Sequence, residues 1–149
     1  MDRVVIDEVF GELTFTFAWT KDVDQTFYGK NFKAGLIVDG NDEDETILEE
    51  QREAYKRFQE NESEIIAKAE RAVYEYYNEV CYSIASPQIK ESEIADHVEL
   101  TGIVFPMVLK RGEISIGFLF EADCDPEHGI GVKIINDEIE EVSTQDILT

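Results

Sequence analysis

This sequence is poor in most of the residues that announce a function. Its 149 residues include two cysteines, two histidines and three prolines, and 13 basic residues stand against 34 acidic ones. Each scarcity excludes something. Cys81 and Cys124 are too few and too far apart for a secreted disulfide scaffold, so two reduced thiols in a cytoplasmic protein are expected. Two histidines limit any catalytic triad or zinc site, which needs three or four convergent ligands. The shortage of lysine and arginine leaves a net charge of -21. A field of that sign repels nucleic acid and anionic membrane and draws in basic protein surfaces.

Other absences narrow the field further. The longest apolar stretch, Ile103 to Leu109, is far short of the roughly 20 residues that cross a bilayer. Met1 to Glu8 has no basic leader with an apolar run, so no signal peptide is expected. No Gly-x-Ser-x-Gly elbow, phosphate loop or dinucleotide fingerprint occurs. No cofactor is expected, and no membrane or nucleic-acid partner.

What is present describes a folded body. The chain is 43% hydrophobic, with 9 Phe and 6 Tyr. Disorder by composition needs low hydrophobicity as well as high charge. The length suits one domain over residues 1–149.

The first third reads as β. Leu13, Phe15, Phe17 and Trp19 alternate with Thr14, Thr16 and Ala18, the period of a half-buried strand. Val4 to Phe10 precedes it, with Gly11-Glu12 as a hairpin turn, and Phe32 to Val38 gives a third strand. Thr20 to Gln25 is polar and is expected as a connection. From Thr46 the period becomes helical, with Ile47, Gln51, Ala54 and Phe58 on one face. Asn61-Glu62-Ser63-Glu64 resembles a capping box and predicts a break into a second helix. There Ile65, Ala69, Ala72, Tyr76 and Val80 form the expected core stripe, flanked by Ile66, Val73 and Tyr77. Tyr74 and Tyr82 lie off that stripe, at the expected surface. Pro87 ends the helical region.

The last third returns to β, at Leu100 to Phe105, Ile114 to Phe120, Ile130 to Ile134 and Ile139 to Val142, with Asn136-Asp137 as a tight turn. Strands, helices and strands in that order predict an α+β fold. It is expected as an antiparallel sheet of about six or seven strands, with two central helices packed on one face.

Two segments concentrate chemistry-bearing side chains. Asp123-Cys124-Asp125-Pro126-Glu127-His128-Gly129 lies between two strands. Asp125, Glu127 and His128 make it a possible site, because neighbouring Glu and His can move a proton and Cys and His can hold a metal. The same residues also make a turn: Asp125-Pro126 starts it, glycines relax it and His128 caps backbone groups. The turn reading is preferred, since local Cys and His number only two. The run Asp39 to Glu45 weakly matches a calcium loop through Asn41, Glu43 and Glu50. Its sixth place, however, is Asp44 where glycine is needed.

The segment Ile116 to Val132, with Asp125-Pro126-Glu127-His128-Gly129-Ile130-Gly131-Val132 and the downstream pair Gln145-Asp146, resembles a family of small acidic bacterial domains of unknown function. Gln51 to Phe58 and Tyr76-Tyr77 look family-like as well. Members often carry Trp where this chain has Cys124, so no shared role attaches to that thiol. The resemblance implies a bacterial source and a shared fold. Such domains are also similar to immunity proteins encoded near bacterial toxins.

The expectation is therefore a non-enzymatic acidic module that binds a basic protein, immunity-like in character. Glu49, Glu53, Glu60 and Glu62 on the helices are its candidate contacts, with Tyr74 as aromatic anchor. The alternative is a small metal-dependent or hydrolytic enzyme using Glu127 and His128.

Overall fold

A computed structural model describes residues 3–16, 18–40, 47–81, 89–107 and 112–148. Eight strands form one sheet: β1 (Arg3–Asp7), β2 (Gly11–Phe15), β3 (Trp19–Phe27), β4 (Lys30–Val38), β5 (Val98–Phe105), β6 (Ser115–Ala122), β7 (Ile130–Ile135) and β8 (Glu138–Ser143). Their order in the sheet is their order in the chain. Neighbours are antiparallel except β4 and β5, which run parallel. A parallel pair cannot be joined by a hairpin, so the chain between them must cross back over the sheet. That crossover carries α1 (Glu49–Glu60) and α2 (Glu62–Tyr76). The chain is α+β, with a mostly antiparallel sheet.

The extra strand is β3. The apolar run from Leu13 to Trp19 ends β2 at Phe15 and starts β3 at Trp19, and the polar stretch expected as a connection is the middle of β3. Its polarity has a simple cause. Asp22 and Asp24 are exposed on the sheet face away from the helices, while Val23 lies opposite Ala34 in the register. Gln25 is buried and donates from Nε2 to Glu62 at 2.9 Å. The Gly11-Glu12 pair begins β2 and does not form the turn. Tyr28-Gly29 and Asn136-Asp137 each place two residues at positive φ, as two-residue hairpins require.

The core lies between the sheet and the helices. Phe27 meets Phe118 and Phe120 edge-on with ring centroids 5.3 and 5.2 Å apart, and Phe58 of α1 reaches Phe118 at 5.9 Å. Such aromatic pairs add about 1 kcal/mol each beyond their buried area. The helix break falls at Asn61, as its residues suggest. No capping box forms there, because Asn61 Nδ2 donates back to the Arg57 carbonyl. The stripe on α2 is also rotated from expectation: Ile65, Ile66, Ala69, Val73 and Tyr77 are buried, whereas Tyr76 is half-buried and Val80 is 66% exposed. Both stripes obey helical spacing, and the position of the sheet below decides between them.

Two buried polar groups tie α1 down. Gln51, 2% exposed, donates from Nε2 to the carbonyls of Asp39 and Phe105, at 2.9 and 3.0 Å, where β4 and β5 end. Its Oε1 accepts from the Leu48 amide at 2.9 Å. Asp7 is the buried carboxylate among the described residues. It accepts from the amides of Val9 and Phe10 and, on Oδ1, from Arg52 Nε and Nη2 at 2.9 and 2.8 Å. Burial pushes the Asp7 carboxyl up, but these donors outweigh it and hold the group below its ordinary value of 3.8.

Replacing Gln51 with Leu takes this partner from the Asp39 carbonyl and the Leu48 amide, while the Phe105 carbonyl keeps the Asp39 amide at 3.1 Å, and is expected to cost about 2 kcal/mol in urea denaturation. For Asp7 the sign follows from the depressed folded value. Its contribution is present above pH of about 4 and is lost as the pH falls through that value. Asp7→Asn is therefore expected to be less stable than wild type at pH 7, with the gap in unfolding midpoint narrowing below pH of about 4.

Candidate functional site

The helical crossover ends where β6 ends. Beyond Tyr76 the helix loosens into a π-type turn over Tyr77–Cys81, and Cys81 bonds Cys124 in the turn after β6 with sulfurs 2.04 Å apart. The expected pair of separate thiols is thus a disulfide. A sequence separation of 43 gave no sign of it, because only the packing of α2 on the sheet brings the two residues together. With the bridge in place, the thiol argument for a reducing cytoplasm falls away.

Beside the bridge lies a second cluster. Tyr77 is 0% exposed and donates its hydroxyl to Asp123. His97, directly after a 3₁₀ turn over Glu91–Asp96, holds Asp123 Oδ2 through Nδ1 at 2.6 Å. The two rings lie 5.8 Å apart. One carboxylate thus joins the crossover, the start of β5 and the end of β6. His97 and Asp123 line an open cleft of about 820 Å³, with Lys30 and Lys33 of β4 also in its wall. An imidazole fixed at Nδ1 by a carboxylate is equipped to transfer a proton at its other nitrogen. The bridged sulfurs are not free nucleophiles. Among the described residues no group of three His, Cys, Asp or Glu side chains is placed to hold a metal ion. No sequence spacing pointed to His97 with Asp123, since their partnership is made by strand pairing.

The segment holding Asp125, Glu127 and His128 is the β6–β7 turn. Asp125 Oδ1 accepts from the His128 amide at 3.3 Å and lies 3.0 Å from His128 Nδ1. The Gly129 amide donates to the Asp125 carbonyl at 2.9 Å. Hydrogen bonding to Asp125, and then its charge, raise the His128 pKa above the ordinary 6.5. Glu127 is exposed. A 3₁₀ turn over Gln145–Leu148 closes on this loop, with the Gln145 amide donating to the His128 carbonyl at 3.0 Å and its Nε2 to Phe120 at 2.6 Å. The glycines make room for it. A Cβ on Gly131 would sit 2.7 Å from the Thr144 carbonyl oxygen. On Gly129, at φ +64, it would sit 2.3 Å from that of Phe120.

The helical acids are placed differently. Glu49, Glu53, Glu60 and Glu62 are all exposed. Glu49 pairs with Arg52, Glu53 meets Arg57 at 3.6 Å, and Glu62 accepts from Gln25. Tyr74 is half-buried and donates its hydroxyl to the Ile89 carbonyl at 3.2 Å, so it is not a free surface ring. Tyr82 and residues 41–46, including most of the acidic run, lie outside the described residues. Among the described residues no helix is long and apolar enough to cross a membrane.

Fold and site together define an acidic α+β domain in which a helical crossover, a disulfide and a carboxylate hub close one end of a single sheet. The chain belongs to the domain of unknown function DUF6985, whose family model matches residues 9–149. No curated protein and no solved structure matches it.

Reduction of Cys81–Cys124 releases a loop whose denatured-state entropy is worth about 4 kcal/mol. Thermal melts with and without a reductant are expected to differ accordingly, and a Cys124→Ser variant should melt like the reduced protein. Gly129→Ala is expected to cost about 2 kcal/mol or more from the left-handed backbone and the carbonyl clash. In an NMR titration His128 should titrate above 6.5, and Asp125→Asn should bring it down toward that value.

Proposed function

We propose that the protein is a non-enzymatic acidic module that binds a basic protein, in the manner of an immunity protein that occupies a toxin. One observation carries this reading: apart from Asp7, every carboxylate among the described residues is at least partly exposed. The acidic excess of the described residues is therefore carried at the surface. Such a surface speeds encounter with a cationic partner and disfavours nucleic acid. The outward acids of α1 and α2 remain its first contacts. Pairing with Arg52 or Arg57 on an exposed helix face is weak and can be exchanged for a partner's cations.

The hydrolytic alternative through Glu127 and His128 has less support. Both sit on an exposed turn, and neither lines the cleft that His97 and Asp123 border.

The test is capture of partners at low salt, followed by titration of the purified partner. Affinity is expected to fall steeply with salt, and replacement of Glu49, Glu53, Glu60 and Glu62 by Lys should weaken it at least tenfold. A partner whose binding ignores both salt and charge reversal would count against the acidic-surface reading.

A further inference from the structure

Helix α2 carries more apolar surface than the sheet covers. Ala72 and Tyr76 lie four residues apart on one stripe of α2, and Val80 follows at the same spacing in the π-type turn beyond it. Ala72 and Tyr76 are half-buried and Val80 is exposed. Beside that stripe, Ile139 and Val142 of β8 are also half-buried. Ala72, Tyr76, Ile139 and Val142 line a trough of about 490 Å³ between helix and strand, flanked by Lys68, Arg71, Glu75, Glu79 and Glu138.

The strand beside the trough is the last in the sheet. β8 pairs with β7 on one side, and among the described residues no strand pairs with its other side. An edge of this kind presents backbone donors and acceptors in the spacing of a further strand. Its two faces offer different surroundings. Ile139 and Val142 lie opposite Ile134 and Val132, which are buried on the helix side. Glu141 lies opposite Lys133 on the other face, while Glu138, at the start of β8, borders the trough beside Lys68. A β-bulge between Lys133 and Ile134 puts Ile139 and Val142 three residues apart yet leaves both on the helix side, so an incoming strand would meet the apolar trough on one face and Glu141 on the other.

We propose that the β8 edge takes an extended cationic segment of the partner protein as a ninth strand, its apolar residues alternating with lysine or arginine. The proposal rests on the acidic-binding reading and gives that reading an address. Unpaired edge groups reward an extended chain, because its main chain completes the ladder while alternate side chains supply selectivity. Charge selects a cationic one. Of the local cations, Lys68 already lies 3.7 Å from Glu138 and Arg71 2.9 Å from Glu75. Glu79, Glu140 and Glu141 have no cation within ion-pair distance among the described residues. A second copy of this chain is a poor occupant, since it would bring a further net charge of -21 to an anionic edge.

The experiment uses a labelled eight-residue peptide of alternating valine and lysine. Its controls are a non-alternating peptide of the same composition and an alternating peptide interrupted by proline. Binding is followed by fluorescence anisotropy at low and moderate salt, and by amide hydrogen exchange. The alternating peptide is expected to bind at least tenfold tighter than either control and to slow exchange across Glu138–Ser143. The exposed-site variant Glu79→Lys/Glu141→Lys should lose that advantage without a change in melting behaviour, and Tyr76→Lys should lose it through the trough. Equal binding of all three peptides, with no protection at β8, overturns strand addition but leaves the acidic-binding reading in place. If neither the peptides nor any cationic protein binds, both fall.

Discussion

The parallel seam between β4 and β5 is the constraint on which the rest of this structure depends. A chain that must leave the end of β4 and enter β5 in the same direction has to recross the sheet, and α1 and α2 are that return path. Gln51 secures the seam chemically. Its amide bridges the carbonyls at the ends of both strands and caps the backbone where α1 begins. A buried amide with three good hydrogen bonds does what an apolar residue could not, because strand-end carbonyls left dry are costly. Asp7 extends the same logic to the first hairpin, holding two of its amides and the Arg52 guanidinium with one carboxylate.

The opposite end of the sheet is closed by different means. There the crossover finishes in a loosened helical turn, and a disulfide and the Tyr77–Asp123–His97 cluster fasten it to the end of β6. The neighbouring β6–β7 turn is held by the C-terminal 3₁₀ turn, seated over positions where only glycine fits. The motif that looks most like chemistry in the sequence thus has a full structural occupation: Asp125 shapes the turn, Gly129 and Gly131 admit Gln145, and His128 supplies a carbonyl to it.

The charge is distributed to match this economy of polar contacts inside. The one described carboxylate that is buried has an arginine against it, and the others are at least partly exposed. The outcome is an anionic exterior over an aromatic core. The exception is the flank of α2, where the stripe of Ala72, Tyr76 and Val80 extends past the cover the sheet provides.

Much of the architecture was legible because periodicity reports burial on one face. The α+β class, the break at Asn61, the turn at Asn136-Asp137 and the four C-terminal strands all follow from local pattern. β3 was hidden because Lys21 and Gln25 take inward positions while Asp22 and Asp24 face solvent, so Thr20 to Gln25 carried the composition of a loop. The rotation of α2 was hidden for another reason: Tyr76 and Tyr77 are neighbours on a helix that could bury either, and only the sheet beneath selects one. What the sequence determined by itself was the sign of the net charge and the succession of strands, helices and strands, since both depend on composition and near neighbours. The Cys81–Cys124 bridge, the pairing of His97 with Asp123 and the open edge at β8 were decided by tertiary structure alone. They join, or leave unjoined, residues whose separation along the chain carries no physical signal until the sheet has formed.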